Sequence, residues 1–180
     1  MKRFVFYFVL QIIDYELIMK LARLWQHALQ TGIMTSKTEL KIFIVDDDAI
    51  CREFYKQHLL NMGFENVMLF DNGQQCIDQL DQNPDIILLD HQMKPIDGLD
   101  TLKKIKRFNP DIFLIYISGQ DDLEVAVNAL KYGAFDYIIK GNAKEEEKLV
   151  AVMNKILVVI ELLSKKTSGK WSKFLSLFSN

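Results

Sequence analysis

The sequence predicts an α/β domain built on a parallel sheet. Between residues 40 and 163, five short apolar segments alternate with five longer segments in which apolar residues recur at helical spacing. Three of the short segments are almost entirely apolar, which is typical of parallel strands covered by helices on both faces. Right-handed crossovers would then place helices on both sides of the sheet.

The strands are predicted where short runs of aliphatic and aromatic residues are bounded by turn-forming residues. The first run, residues 41–45, is too short for a helix and is rich in strand formers. The second, residues 66–70, is the most mixed in polarity, which suits an edge strand. The other predicted strands are residues 85–89, 112–117 and 135–139.

The helices are predicted between these strands, and most end at a residue that disfavours helix. Residues 48–61 end before Gly63, residues 99–108 end before Asn109 and Pro110, and residues 121–132 end at Gly133. The other predicted helices are residues 73–80 and 144–163.

Three zones divide the chain. Residues 1–39 are predicted to form a helical extension, with one helix over residues 5–30 and a polar linker; Met34 is an alternative true start. Residues 40–163 form the α/β domain and residues 164–180 a short tail. The apolar run at residues 4–13 is too short to cross a bilayer, and no cleavage site follows it, so we expect no membrane contact.

Composition narrows the class of function. The net charge is −2, and without a basic block the chain has no electrostatic footprint for nucleic acid. Cys51 and Cys76 have no metal-ligand spacing and are interpreted as small hydrophobic residues in a reducing compartment. The chain is therefore expected to be cytoplasmic.

Polar residues stand at the carboxyl ends of the predicted strands, where ligands bind in parallel sheets. Three aspartates, residues 46–48, follow the first strand, and Asp90 follows the third. Ser118 follows the fourth strand and Lys140 the fifth. Each of them alone has a plainer interpretation, such as a helix cap for residues 46–48 or a surface position for Lys140. Together, the four strand ends indicate one site.

The chemistry of these groups points to phosphoryl transfer. Converging carboxylates repel one another unless protons or a cation offset their charge. Oxygen ligands favour a hard ion, and Mg²⁺ binds a few carboxylates together with a phosphate oxygen. Lys140 and Ser118 can contact phosphoryl oxygens, and a carboxylate can itself be the nucleophile.

This part of the chain resembles the receiver domain of two-component response regulators, including the chemotaxis regulators. The resemblance covers about two thirds of the chain and implies a flavodoxin-like (βα)5 doubly wound sheet with strand order 2-1-3-4-5. The motifs that carry it are Asp46-Asp47, the block of residues 88–93 with Asp97-Gly98, the pair Ser118-Gly119, and residues 137–140.

The resemblance implies a role for each matching residue. Asp90 would be the phosphorylated residue. Asp47, Asp90 and the backbone carbonyl of Gln92 would bind Mg²⁺ directly, and Asp46 would assist through water. Lys140 would contact the phosphoryl group.

A switch is implied as well. Ser118 would follow the phosphoryl group, and Tyr137 would turn inward when Ser118 moves. The resemblance therefore implies a single-domain response regulator that is phosphorylated by a histidine kinase or a phosphotransfer protein and signals by binding a downstream partner. It would not be an enzyme, although it takes part in its own Mg²⁺-dependent phosphorylation and dephosphorylation.

Two positions depart from the family pattern. Lys94 stands where the family usually has proline, and Gly141 replaces the proline that usually follows the lysine. These departures keep open a degenerate receiver that binds partners independently of phosphorylation. A phosphatase or mutase is disfavoured, because Gln92 stands where those enzymes have a second acid. His91 is expected to be a solvated loop residue.

The last predicted helix has more apolar surface than the ~100° stripe that a surface helix normally buries. A second copy of the chain is one candidate to cover it, since receivers often pair through their fourth and fifth helices. The N-terminal helix is another. The apolar residues are Leu149, Val150, Val152, Met153, Ile156, Leu157, Val159, Ile160, Leu162 and Leu163.

Overall fold

The computed structural model describes residues 37–119 and 123–167, with the side chains of residues 164–167 excepted. The sheet belongs to a compact unit that spans Ser36–Ile160. The predicted N-terminal helix, most of the linker, the alternative start Met34 and the tail from residue 168 onwards lie outside the described residues, so the proposed domain boundaries stay predictions.

A five-stranded, fully parallel sheet forms the centre of this unit. The strand order is β2-β1-β3-β4-β5, as expected, and β2 lies at an edge. The strands are β1 Ile42–Val45, β2 Val67–Phe70, β3 Ile86–Asp90, β4 Phe113–Ser118 and β5 Asp136–Ile139.

Five α-helices alternate with the strands. They are α1 Ala49–Asn61, α2 Gly73–Asp78, α3 Gly98–Phe108, α4 Leu123–Lys131 and α5 Glu145–Thr167. Residues 121–122, predicted to begin the fourth helix, lie outside the described ranges.

Two helix predictions were wrong at their ends. The second helix stops at Asp78, and a separate 3-10 turn, Leu80–Gln82, follows it. Asn83 then adopts a left-handed φ of 55° before Pro84, which prevents a continuous helix. The last helix continues four residues past the predicted end at Leu163, because nothing in Ser164 to Thr167 breaks a helix.

The two faces of the sheet bury separate cores. Alternate residues of β1 point to opposite sides, as strand geometry requires. Ile42 and Ile44 pack with α1 and α5, whereas Phe43 and Val45 pack with α2, α3 and α4. The site described below lies at the edge where the loops of both faces meet.

Helix α5 buries only part of its apolar surface within the described residues. Leu149, Val152, Met153 and Ile156 are fully buried. Leu162 and Leu163 are exposed, as is Val158. None of the described helices is both long and apolar enough to cross a membrane.

Candidate functional site

Three carboxylates meet at the carboxyl edge of the sheet. Asp46 and Asp47 follow β1, and Asp90 is the last residue of β3 rather than the first residue after it. Because β1 and β3 are neighbours in register, with Val45 opposite Leu89, their ends coincide. One oxygen of each carboxylate lies within 4.8 Å of the others. Asp46 and Asp90 are buried, whereas Asp47 is exposed.

Hydrogen bonds at the start of helix α1 hold Asp46 in place. The carboxylate of Asp46 accepts the backbone N–H of Asp48 at 2.9 Å, and its carbonyl accepts Nη1 of Arg52 at 2.6 Å. Asp48 caps the helix by accepting the N–H of Ile50 at 2.8 Å. That hydrogen bond lowers the pKa of Asp48. Of the three consecutive aspartates, Asp48 therefore has the capping role, which leaves the other two for the site.

Lys140 reaches into the cluster from the end of β5. Its Nζ lies 2.6 Å from Oδ2 of Asp46 and 2.5 Å from Oδ1 of Asp90. Burial alone would lower the pKa of Lys140, but the hydrogen bonds to the two carboxylates outweigh it and raise the pKa to about 12. The ammonium group is therefore charged at neutral pH.

One ammonium does not balance three carboxylates. Formally the cluster of Asp46, Asp47, Asp90 and Lys140 carries −3 + 1 = −2 when all four groups are ionised. Burial raises the pKa of Asp90 above its ordinary value, against the opposing effect of Lys140. A divalent cation would remove both the excess charge and the cost of burying it, and an all-oxygen donor set suits Mg²⁺.

The loop after β3 packs tightly against the backbone of Asp90. The N–H of Gly98 donates to the carbonyl of His91 at 2.8 Å. A Cβ on Gly98 would lie 2.1 Å from the carbonyl oxygen of Asp90, so only glycine fits there. The backbone N–H of Gln92 bonds to the carboxylate of Asp90. That the Gln92 carbonyl binds metal stays a prediction.

His91 is not a solvated loop residue, contrary to expectation. It is half-buried, and its Nδ1 lies 2.8 Å from the hydroxyl of Tyr116 in β4. The ring of Tyr116 in turn stacks on Tyr137, with 6.4 Å between centroids and 24° between planes. Tyr116 therefore contacts both a neighbour of Asp90 and the predicted switch residue. No short motif indicated it, since it looked like one more apolar strand residue.

Ser118 and Lys140 are joined through the backbone. Ser118 is buried at the end of β4, opposite Ile139 of β5, and its carbonyl accepts the N–H of Lys140 at 2.8 Å. Tyr137 lies on β5, three residues before Lys140, and is half-buried. The structure thus brings Asp46, Asp47, Asp90, Ser118 and Lys140 to one edge of the sheet.

The family follows from comparison with known proteins. Residues 42–154 match the family model described as the response regulator receiver domain. The chain belongs to the response-regulator receiver family. The receiver region includes every site residue described above, and receiver domains bind Mg²⁺ at an acidic pocket, here represented by an aspartate cluster.

Relatives of the receiver domain include short and long proteins. Chemotaxis protein CheY of Bacillus subtilis is 31% identical over 118 residues, which is 65% of this chain and 97% of CheY. Transcriptional regulatory protein ZraR of Escherichia coli K12 is 35% identical over 129 residues, which is 71% of this chain. The chain spans only 29% of the length of ZraR, so the similarity is confined to one part of that protein.

Solved structures share the receiver fold. A CheY-like receiver domain from Methanospirillum hungatei JF-1 is 26% identical with a TM-score of 0.60, over 72% of this chain and 99% of that one. NtrX from Brucella abortus is 27% identical with a TM-score of 0.63, over 71% of this chain and 28% of NtrX. These structures therefore agree with the receiver fold of residues 42–154.

Proposed function

We propose that the chain accepts a phosphoryl group on Asp90 in an Mg²⁺-dependent reaction. The observation that carries this proposal is the meeting of Asp46, Asp47 and Asp90 with the ammonium of Lys140. Asp47, Asp90 and the Gln92 carbonyl would hold the ion directly, and Asp46 would do so through water. The ion supplies charge neutralisation for the incoming phosphoryl oxygens.

The reaction is a displacement at phosphorus. A carboxylate oxygen of Asp90 forms a bond to phosphorus, and the bond from phosphorus to the donor nitrogen or oxygen breaks, with its electron pair leaving on the donor. The product is an acyl phosphate. Lys140, already 2.5 Å from Asp90, exchanges part of its carboxylate contacts for a phosphoryl oxygen.

The proposed signal leaves the site through Ser118 and Tyr137. Ser118 would bond to the phosphoryl group, and the space it vacates would admit the ring of Tyr137, a two-state change biased by the new charge. The stacking of Tyr116 on Tyr137 and the contact of Tyr116 with His91 support a route between the two regions.

Partners follow from this mechanism. A histidine kinase or a phosphotransfer protein would donate the phosphoryl group, and a downstream protein would bind the phosphorylated form in the cytoplasm. The proposed receiver domain is residues 40–163. The exposed side chains of α5, such as Val158 and Leu162, support a second copy of the chain as one further partner.

Intact-mass measurement after incubation with acetyl phosphate and Mg²⁺ tests the proposal. One phosphoryl group is expected on the wild-type chain and none on Asp90→Asn, since asparagine has no nucleophilic carboxylate. Asp97→Asn is a matched control, because asparagine also caps α3. Equal labelling of the Asp90 variant would contradict the assignment.

The same measurement distinguishes the main proposal from its alternative. A degenerate receiver, which the departures at Lys94 and Gly141 keep open, would stay unlabelled in the wild-type chain yet still bind its partner. Capture of a partner that is unchanged by a beryllium fluoride phosphoryl mimic would favour that alternative.

A further inference from the structure

Glu145, in the first turn of α5, joins the loop after Lys140 to helix α1. Its Oε2 accepts the backbone N–H of Gly141 at 2.6 Å, and its Oε1 accepts the hydroxyl of Tyr55 at 2.5 Å. Tyr55 lies in α1 and is 1% exposed, so it is a rigid anchor. A single half-buried carboxylate thereby connects three parts of the chain.

The conformation of Gly141 directs its N–H towards this carboxylate. Gly141 has a φ of +71°, in the left-handed region that glycine adopts at little cost. Within the described residues, no heavy atom lies within 4 Å of the position that a Cβ would occupy, so the glycine is explained by backbone conformation and not by lack of space. A proline at this position could neither adopt this φ nor donate a hydrogen bond.

Glu145 is not needed to begin α5. The side chain of Asn142 accepts the N–H of Lys144 at 2.9 Å, and the carbonyl of Asn142 accepts the N–H of Glu145 at 2.9 Å. Those contacts do not involve the carboxylate of Glu145. Its two hydrogen bonds therefore join the preceding loop to α1 and do not cap α5.

Lys140 depends on contacts on both sides of its backbone. On the strand side, its own N–H donates to Ser118 at 2.8 Å. On the loop side, the next N–H donates to Glu145. Between these two points the side chain extends to Asp46 and Asp90. Without Glu145, the loop side of Lys140 would lose its link to α1, the helix that follows the acidic pair.

We infer that Glu145 is a positioning residue for phosphoryl transfer, which holds Lys140 at the Asp46–Asp90 pair by fixing Gly141 against Tyr55. This inference rests on the proposed phosphorylation of Asp90. It predicts an effect on the rate of transfer that exceeds any effect on the stability of the fold.

Initial rates of phosphorylation, measured against acetyl phosphate concentration at saturating Mg²⁺, test this inference. We expect Glu145→Ala to lower the maximal rate by about tenfold, because misplacing a charged group costs transition-state stabilisation. The apparent KM should stay within about twofold, since donor binding does not use this contact. The control is Glu147→Ala, which removes the same charge from an exposed position in the same turn.

A conservative variant distinguishes positioning from folding. In Glu145→Gln, the amide oxygen can accept the N–H of Gly141 while the NH₂ group donates to the oxygen of Tyr55. Its maximal rate should therefore stay within about threefold of wild type. Tyr55→Phe should slow transfer in the wild-type background and have little further effect in Glu145→Ala, as expected for residues that act as one unit.

The outcomes separate the two claims. A wild-type chain that is not phosphorylated overturns the proposed function and this inference together. A phosphorylated wild type with equal rates for Glu145→Ala and Glu147→Ala overturns the inference alone. So does a loss in Glu145→Ala that Glu145→Gln shares, or one that an unfolded fraction measured by circular dichroism accounts for in full.

Discussion

At the scale of single residues, substitutions near Asp90 are limited by how closely other backbone atoms approach. A Cβ on Gly98 would collide with the backbone carbonyl of Asp90 and lie 2.8 Å from Cα of His91. Both obstacles are backbone atoms, which a rotamer change cannot move aside. The loop would have to shift, and the carboxylate with it.

Gly98→Ala is therefore expected to lower the free energy of unfolding by about 2 kcal/mol and to slow phosphorylation of Asp90. Urea unfolding and intact-mass kinetics measure the two effects. For stability, Gly119→Ala is the control, because no heavy atom of the described ranges lies within 4 Å of its would-be Cβ. Equal stability of the two variants would show that the loop relaxes without cost.

Residue chemistry also marks the limit of sequence analysis. Asp46, Asp90, Ser118 and Lys140 could be predicted because each stands at the carboxyl end of an apolar segment, and parallel strands end at one edge. The contact of His91 with Tyr116 and that of Tyr55 with Glu145 join residues 25 and 90 positions apart. No local spacing encodes such pairs, because they exist only after the helices pack.

At the scale of elements, β5 and α5 are tied together by Asp136. Its carboxylate lies 2.7 Å from Nζ of Lys148 and 3.2 Å from Nζ of Lys155, and it accepts the N–H of Tyr137. Burial alone would raise the pKa of Asp136, but these hydrogen bonds outweigh it and lower the pKa from its ordinary value. The register of α5 against the strand is fixed partly by charge.

Asp136→Asn should therefore cost about 1 kcal/mol of stability at neutral pH, a value kept small because both lysines are partly exposed. A depressed folded-state pKa adds stability above the unfolded-state pKa, and this stability is lost as pH falls through the folded-state value. The difference between wild type and variant should thus be constant above about pH 5 and shrink as the pH falls through the ordinary aspartate pKa of about 3.9 towards the lowered folded-state pKa. Urea unfolding across this range measures it, and a difference that grows on acidification would contradict the sign.

The ends of the strands could be predicted from the sequence, whereas the end of one helix could not. Strands β1 to β5 were each predicted to within one residue at either end, because short apolar runs between turn residues leave little choice. The end of α2 was wrong, since the left-handed conformation of Asn83 is a backbone choice that composition does not reveal.

At the scale of the whole molecule, metal binding should stabilise the fold. The excess negative charge at Asp46, Asp47 and Asp90 disfavours the folded state until a cation offsets it. At a Mg²⁺ concentration one hundred times the Kd, the free energy of unfolding should rise by about 2.7 kcal/mol.

Thermal unfolding with and without Mg²⁺ measures this gain. Asp47→Asn should lose most of it, because an exposed ligand is removed without disturbing the core. Asp48→Asn should keep it, since asparagine caps α1 equally well and residue 48 lies outside the three-carboxylate cluster. A gain that is the same in all three proteins would place the ion elsewhere.

The two cores on opposite faces of the sheet support different functions of the site, the positioning of Lys140 and the proposed switch. The anchor of Lys140, through Glu145 and Tyr55, belongs to the face of α1 and α5, whereas Tyr116 and Tyr137 pack on the face of α2, α3 and α4. Substitutions that reshape one face need not disturb the other. Substitutions on the face of Tyr116 and Tyr137 can therefore change which protein binds this chain without changing the rate of its phosphorylation. The same separation would let an engineer change the downstream partner while the phosphorylation site is kept.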